Sequence, residues 1–188
     1  MTTSLYLNNQ FLIAMPNLAD VNFSHTVSFL CQHNEEGALA IVINRLTEMT
    51  LADIFKQIGI ESSSQQVKNT PVYAGGPVQQ ERGFIIHPKN SRTWESSIPI
   101  SESSNLTSSR DILEAIAENK GPKQYLIALG YAGWGAGQLE KEIISNAWLN
   151  TPYDEQILYH TPARQRWASA ANQIGIDISQ LTAPAGHA

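Results

Sequence analysis

The sequence predicts an α+β domain, because strand and helix patterns are mixed along the chain without strict β-α alternation. Short apolar runs bounded by Pro, Gly and Asn are typical of strands, and apolar stripes at helical spacing with capping signals are typical of helices. A length of 188 residues suits one domain of ordinary size. We therefore predict a single domain over residues 1–188.

The first strands are predicted from residue 11 onward. The run FLIAM at 11–15, closed by Pro16, predicts a strand. Residues 25–44 predict a β-hairpin, with turn residues at 34–37. One face of its first strand carries the alternating residues Val27, Phe29 and Cys31.

A short helix and two further strands follow. Thr50 and Asp53 have capping-box spacing, and Gly59 ends the helix. Its apolar stripe consists of Leu51, Ile54, Phe55 and Ile58. Residues 71–87 then predict two strands around a glycine-proline corner.

The middle of the chain predicts a loop, a helix and a strand. Residues 90–109 are rich in Ser and Thr without periodicity, which favours a long surface loop. Ser108 and Asp111 repeat the capping-box spacing ahead of a helix that Gly121-Pro122 ends. The apolar run YLIALGY at 125–131 predicts a strand buried on both faces.

The last third predicts two helices and one strand. One helix presents Leu139, Ile143, Ala147 and Trp148 along one side. The run ILYH at 157–160 predicts a short strand. The last helix begins with Thr161 as cap and Pro162 in its first turn, and ends at Gly175. Its inward residues are predicted to be Trp167, Ala171 and Ile174.

Composition argues against several classes of protein. The formal net charge is −5 and the 12 Lys and Arg residues are scattered, whereas DNA-binding proteins concentrate cations on one face. The N-terminal segment lacks the pattern of a secretory signal, and the uncharged stretch after Gln124 is too short to span a bilayer. We expect a cytoplasmic protein that binds neither DNA directly nor a membrane.

Neither a metal site nor a cofactor is predicted. Four histidines (His25, His33, His87 and His160) fall near predicted strand ends, and no pair has the helical i, i+4 spacing of a zinc site. The single cysteine excludes an internal disulfide. Cys31 and His33 are predicted on one strand face about 6–7 Å apart, too far for direct activation of the thiol, so Cys31 is predicted to be a core residue.

The run LGYAGWGAGQLEKE at 129–142 is the first candidate site. A strand, a glycine turn and a helix N-terminus can bind phosphate. However, the spacing of Gly133, Gly135 and Gly137 matches no nucleotide fingerprint, and Glu140 and Glu142 in the first helical turns would repel a phosphate. A structural turn is therefore the favoured interpretation.

The run GGPVQQERGF is the second candidate. Gly75 and Gly76 can expose backbone amides, and Arg82 beside Gly83 could approach an anion or a carboxylate. The alternative is a hairpin with special turn residues and a solvated arginine.

Several motifs together resemble the AlgH/YqgE family of bacterial proteins. They are FLIAMPNLAD, GALAIVINR, YAGGPVQQERGFIIHP, LGYAGWGAGQLEKE and NAWL, in the family's order from about residue 11 to 175. The closing LTAPAGHA resembles the AlgH branch. The resemblance implies a bent, barrel-like β-sheet core with helices packed around it. It implies little about activity, although members are often labelled transcriptional regulators.

These observations predict a non-catalytic binding or regulatory protein that acts, indirectly if on transcription, through a protein partner or a small anionic ligand. The alternative is an enzyme of unknown reaction whose site is formed by glycine-rich loops at the sheet rim. If a ligand site exists, we expect it where the two glycine corners meet, with Trp134 either on its wall or plugging the core. The candidate ligand-binding residues are Asn44, Arg45, Gly75, Gly76, Arg82, Gly83, Gly133 and Trp134.

Overall fold

The computed structural model describes residues 6–181, in which ten strands form one strongly bent sheet. The strands are β1 (Gln10–Ala14), β2 (Val27–Asn34), β3 (Gly37–Val42), β4 (Leu46–Thr50), β5 (Pro71–Ala74), β6 (Val78–Pro88), β7 (Ser97–Pro99), β8 (Ser104–Thr107), β9 (Leu126–Gly135) and β10 (Trp148–Pro152). The helices are α1 (Leu51–Ile58), α2 (Gln65–Lys68), α3 (Arg110–Ala117), α4 (Gln138–Ile144), α5 (Ala163–Gln173) and α6 (Ile178–Leu181), with a π-helical turn at Gln156–His160.

Strand β9 is the centre of the sheet. The main strand order is β10-β1-β2-β3-β9-β6-β8-β7, and β5 joins β9 in parallel and carries β4 on its other side. The first half of β9 pairs with β5 and β6, whereas its second half pairs with β3 at residues 132–135. The sheet changes direction along β9, and the bent, barrel-like α+β fold is confirmed.

The hydrophobic clusters show which face is concave. Residues from opposite ends of the sheet, such as Phe11 of β1 and Leu106 of β8, meet in one large cluster, which α5 and the π-helical turn close. On the other face, apolar residues separate into two clusters. One packs against α1 and α3, and the other packs against α4. One face therefore lies inside the bend and the other lies outside it.

Several predicted elements are confirmed. The strand at 11–15 is β1, and the hairpin at 25–44 is β2 and β3, paired from Ser28↔Val42 to Asn34↔Gly37. Helix α1 has its predicted ends, with Asp53 accepting a hydrogen bond of 2.8 Å from the Thr50 N–H and Gly59 in the left-handed region at φ 70°. Local capping chemistry was sufficient here because both ends are determined by neighbours in sequence.

The loop predicted at residues 90–109 is wrong in part. Strands β7 and β8 lie within it, and Trp94 and Leu106 are buried. Periodicity failed because hydroxyl side chains occupy buried positions on both faces of β8, at Ser104 and Thr107. The next helix begins one residue later than predicted, with Ser109 as its N-cap.

The strands at 71–87 form no hairpin. Strand β9 lies between β5 and β6, pairing in parallel with the first and antiparallel with the second. Strand β9 also continues to Gly135, so most of the glycine run is strand where a turn was the favoured interpretation.

Three predictions near the C terminus are wrong. The run ILYH forms a π-helical turn, because its two buried residues, Ile157 and Leu158, are adjacent and pack on the concave cluster. Helix α4 ends at Ile144, and Trp148 instead begins β10. In the last helix, Trp167 and Ala171 pack inward as predicted, but Ile174 is 39% exposed. The run LTAPAGHA lies beyond the described residues apart from its first leucine.

Candidate functional site

The glycine run holds α4 against the sheet. Gly133 and Gly135 belong to β9, and Gly137 caps α4 with φ 71°, a conformation that favours glycine. The Gly135 N–H donates to Oε1 of Gln138 at 3.0 Å, so the first residue of α4 turns back onto the strand. This local bonding favours a structural role for the turn.

The helix carboxylate Glu142 accepts hydrogen bonds from two buried indoles. Its Oε2 accepts from Nε1 of Trp134 and from Nε1 of Trp148, each at 2.8 Å, and its Oε1 accepts from Nε2 of Gln138 at 3.0 Å. The two indole rings lie edge to face with centroids 5.8 Å apart. We call Trp134, Trp148 and Glu142 the indole clamp.

A second carboxylate of α4 also has a partner. Oε1 of Glu140 lies 2.8 Å from Nε2 of His33, and Nδ1 of His33 accepts the Leu7 N–H at 3.0 Å. Nδ1 is therefore unprotonated, and Nε2 donates to Glu140. The pKa of Glu140 is lowered from its usual 4.5, first by its own backbone N–H and then by His33. Both glutamates bind the protein itself.

Asn44 and Arg45 fasten the segment that precedes β2. Asn44 accepts the Val27 N–H at 3.0 Å and donates to the His25 carbonyl at 2.9 Å. The Arg45 guanidinium donates to three carbonyls, those of Val21, Asn22 and Ser24. These contacts hold the loop at residues 21–25 against the chain between β3 and β4.

The two glycine corners meet, with little room between them. The Gly75 N–H donates to the Leu129 carbonyl at 2.8 Å. Gly76 has φ 152°, and a Cβ there would overlap the backbone of Tyr131. The small residues thus permit backbone contact between β9 and the chain that connects β5 to β6.

An open groove nevertheless borders β9 on the concave face. It consists of two adjoining hollows, of about 420 and 150 Å³, which share Leu39 and Tyr131. We call this region the mouth groove. Its principal lining residues are Gln32, Leu39, Val78, Arg82, Phe84, Ile98, Tyr131 and Gly133.

The groove exists because β6 leaves the sheet. Val78 pairs with Tyr131 and Gly83 pairs with Leu129, so residues 79–82 bulge outward between two neighbouring pairings. Val78 remains 36% exposed, and Ile98 across the groove is 41% exposed. Gly133 adds no side chain to this part of the sheet, which leaves the hollow beside Tyr131 open.

Arg82 supplies a positive charge at the groove. Its Nη2 donates to Oγ of Ser108 at 2.9 Å and its Nη1 to Oε1 of Gln79 at 3.4 Å, while its Cζ lies 5.4 Å from the Phe84 ring centroid. Within residues 6–181 no carboxylate pairs with it. A guanidinium has five N–H donors, so several remain available to an incoming acceptor.

The other predicted site residues lie in different places in the structure. Gly133 and Trp134 border the mouth groove, but the Trp134 indole is 6% exposed and packs in the cluster on the opposite face of β9. Arg45 and Gly76 border a separate hollow of about 240 Å³. Gly83 returns β6 to the sheet beside Arg82.

Four groove residues were not predicted from the sequence: Leu39, Phe84, Ile98 and Tyr131. Apolar strand residues look the same in sequence whether they lie in a core or line a groove. The available signal was the run QQER at 79–82, four consecutive polar residues that break the alternation expected of a strand.

Potential reactive groups lie away from the groove. Cys31 is buried, and burial raises the pKa of its thiol far above the usual value. A β-bulge after Leu30 places His33 on the other sheet face, so the predicted shared face of Cys31 and His33 is wrong. No group of three His, Cys, Asp or Glu residues among the described ones could hold a metal ion.

Hydroxyl groups contact two imidazoles in the described structure: Oγ of Ser24 lies 2.7 Å from Nδ1 of the exposed His25, and a longer chain is buried around His87. Thr107 Oγ1 lies 2.7 Å from Nε2 of His87 and 2.7 Å from Oγ of Ser97, and the Pro88 carbonyl lies 2.9 Å from Nδ1. Burial lowers the pKa of His87, and both His87 and Thr107 are fully buried. The array satisfies buried polar groups and has no substrate access at Thr107.

The chain is similar in sequence to known bacterial proteins over nearly its whole length. A family profile described as DUF179, AlgH-like, matches residues 11–179. A UPF0301 protein of Thioalkalivibrio sulfidiphilus is 53% identical over the whole of both chains, and one of Methylococcus capsulatus is 51% identical over 97% of this chain and 96% of its own.

Two solved structures are similar to this chain in fold. The solution structure of the AlgH protein from Pseudomonas aeruginosa matches with a TM-score of 0.81 and 44% identity, over 100% of this chain and 99% of the other. A crystal structure from Corynebacterium diphtheriae shares the fold at 15% identity and a TM-score of 0.72, over 93% and 90% of the two chains. Among the described residues, no helix has the length and apolar character needed to cross a membrane.

Proposed function

The chain belongs to the AlgH-like DUF179 family, and on that premise we propose that it is a non-catalytic cytoplasmic binding protein with a regulatory role. Its mouth groove takes an anionic group attached to an apolar body. A protein partner or a small carboxylate ligand can present such a group. Any effect on transcription is then indirect.

The observation that carries this proposal is that Arg82, beside an apolar groove, has no carboxylate partner within residues 6–181. Leu39, Ile98 and Tyr131 offer apolar surface that a ligand can bury, and such burial contributes roughly 25 cal/mol per Å². A guanidinium with free N–H groups binds a carboxylate in a planar, two-bond geometry. Ligand sites typically combine these two features.

The state of the reactive groups supports binding over catalysis. The titratable side chains that line the mouth groove are Glu36, Arg82 and Tyr131, which place no acid beside a base. The indole clamp and the His33–Glu140 pair occupy the carboxylates of the glycine motif. The enzyme alternative requires a reactive pair that the groove does not supply.

The cations also argue against direct DNA binding. Arg45 is bound to three carbonyls, Arg166 is buried, and Arg110 pairs with Glu114. The net charge of −5 also opposes the displacement of counterions along a duplex that direct DNA binding requires. We expect no sub-micromolar affinity for duplex DNA at about 150 mM salt.

The test is a thermal-shift screen with N-acetylated amino acids and other small carboxylates. The proteins are the wild type, Arg82→Gln, Val78→Asp and the control Arg164→Gln, which removes an exposed arginine outside the groove. Hits should stabilise the wild type and Arg164→Gln, and should lose most of their effect on Arg82→Gln and Val78→Asp. Equal stabilisation of all four proteins would place the ligand elsewhere and refute the proposal.

A further inference from the structure

A second groove lies at the opposite end of β9 from the mouth groove. It has a volume of about 460 Å³ and begins beside Tyr125, which immediately precedes β9. We call it the tyrosine groove. The lining residues that matter here are Val67, Pro122, Lys123, Tyr125, Tyr159 and His160.

The floor and the rim of this groove differ in character. Val67, Pro122, Tyr125 and Tyr159 supply the apolar part of its lining, and the Tyr159 side chain also packs against the concave cluster. Lys123 and His160 are exposed at the rim, and His160 is held beside Gln124 by a contact of 3.1 Å between the two Nε2 atoms. The Gln124 amide donates to Nε2 of His160, which leaves Nδ1 as the donor of this ring. The groove therefore offers an apolar surface next to two nitrogen donors, the Lys123 ammonium and His160 Nδ1.

Its charge is unusual for this protein. None of the residues that line it is acidic, although the chain has 17 Asp and Glu residues and a net charge of −5. Lys123 has no ion pair or hydrogen bond within the described part of the chain, whereas the nearby Lys120 is paired with Glu118. A free ammonium group beside a concave surface that no carboxylate lines attracts an anion.

The wall of the groove is formed by an uncommon backbone element. Tyr159 and His160 come from the π-helical turn at Gln156–His160. Such turns are rare, and they occur frequently at functional sites, where the wide turn changes the direction of side chains. Here it brings an aromatic ring and an imidazole to the same hollow.

We propose that the tyrosine groove binds a small organic anion, whose carboxylate or phosphate contacts Lys123 and His160 and whose flat body covers Tyr125 and Tyr159. This site is independent of the mouth groove, since the two share no lining residue. Inorganic phosphate alone lacks the apolar body and binds more weakly.

The test is a titration of the full-length protein followed by amide NMR shifts. Phenyl phosphate and benzoate are the probes, inorganic phosphate is the control without an aromatic body, and benzamide is the control without charge. We expect saturable shifts at residues 119–125 and 156–160, with Kd in the millimolar range typical of ligands this small. Each control compound should bind at least fivefold more weakly.

Matched variants distinguish binding at this site from nonspecific attraction of anions to surface lysines. Lys123→Gln should raise the Kd of phenyl phosphate at least fivefold, while Lys89→Gln, which removes an exposed lysine elsewhere, should leave it unchanged. Shifts that do not saturate, or that survive Lys123→Gln, would overturn the proposal. Shifts confined to the mouth groove would also overturn it while leaving the proposed function standing.

Discussion

The indole clamp and the mouth groove lie close together along β9, and each lies beside glycines and contains a charged residue that the sequence analysis singled out. In the clamp, the Glu142 carboxylate binds two indoles, and the neighbouring carboxylate of Glu140 binds His33. In the mouth groove, Arg82 has only neutral partners and retains free donors. Whether a charge is satisfied inside the fold distinguishes a structural motif from a candidate site.

The difference has a geometric cause. Helix α4 folds back onto the strand it follows, so its carboxylates reach the buried rings of β9 and β10. At the mouth groove the chain moves away from the sheet, since residues 79–82 bulge between Val78 and Gly83. A returning helix satisfies polar groups, whereas a bulge leaves them exposed to solvent or to a ligand.

Trp134→Ala should have the largest effect. The indole is 6% exposed and contacts Trp148 and Phe23, so truncation should lower the free energy of unfolding by about 3–5 kcal/mol. Urea denaturation measures this, with Val78→Ala in the mouth groove as the control that should change little. A small loss of unfolding free energy for Trp134→Ala would mean that the indole is not packed in a core. The indole clamp would then not differ from the mouth groove in this respect.

Glu142→Gln tests whether the charge in the clamp matters. The amide keeps one oxygen but loses the charge that strengthens two N–H hydrogen bonds, so we expect about 1–3 kcal/mol of destabilisation. Glu81→Gln, in the exposed bulge, should stay within about 0.5 kcal/mol of the wild type. The same urea titration serves both, and equal losses would contradict the distinction.

The pH dependence of stability tests the second carboxylate. Because the folded pKa of Glu140 lies below its usual 4.5, its contribution is complete above pH 4.5. As the pH falls below 4.5, the unfolded chain takes up a proton first and stability declines. Unfolding curves at a series of acidic pH values should show a shallower decline for Glu140→Gln than for the wild type. Parallel declines would show that Glu140 carries no such contribution.

The sequence predicted the elements whose determinants are local. The ends of α1 followed from Thr50, Asp53 and Gly59, and the hairpin of β2 and β3 followed from alternation and turn residues. It could not predict that β9 separates β5 from β6, because pairing between distant strands leaves no local signal. Strand β8 was missed because Ser and Thr occupy its buried positions.

The candidate sites show the same limit. Arg82 and Gly133 could be identified from the sequence, because each lies in a glycine-containing run that is unusual for a strand. Both border the mouth groove. Tyr131 and Leu39 were missed because their role depends on the absence of a covering strand. The hydrogen bond between Trp148 and Glu142 could not be predicted either. Trp148 was predicted to belong to the same helix as Glu142 and instead begins β10.

Arg82→Gln should have the smallest effect on stability and yet a clear effect on binding. Arg82 is exposed and bound only to neutral groups, so its removal should change the free energy of unfolding by no more than about 0.5 kcal/mol. A carboxylate that uses its free N–H groups should bind roughly tenfold more weakly, which corresponds to about 1.4 kcal/mol. Urea denaturation and calorimetric titration with a hit from the thermal-shift screen measure the two quantities on the same samples. In the indole clamp the opposite holds, since a residue whose hydrogen bonds are all internal affects folding and has nothing left to offer a ligand. If Arg82→Gln instead destabilised the fold by more than 2 kcal/mol, Arg82 would be a structural residue like Glu142, and the mouth groove would lose the group that distinguishes it.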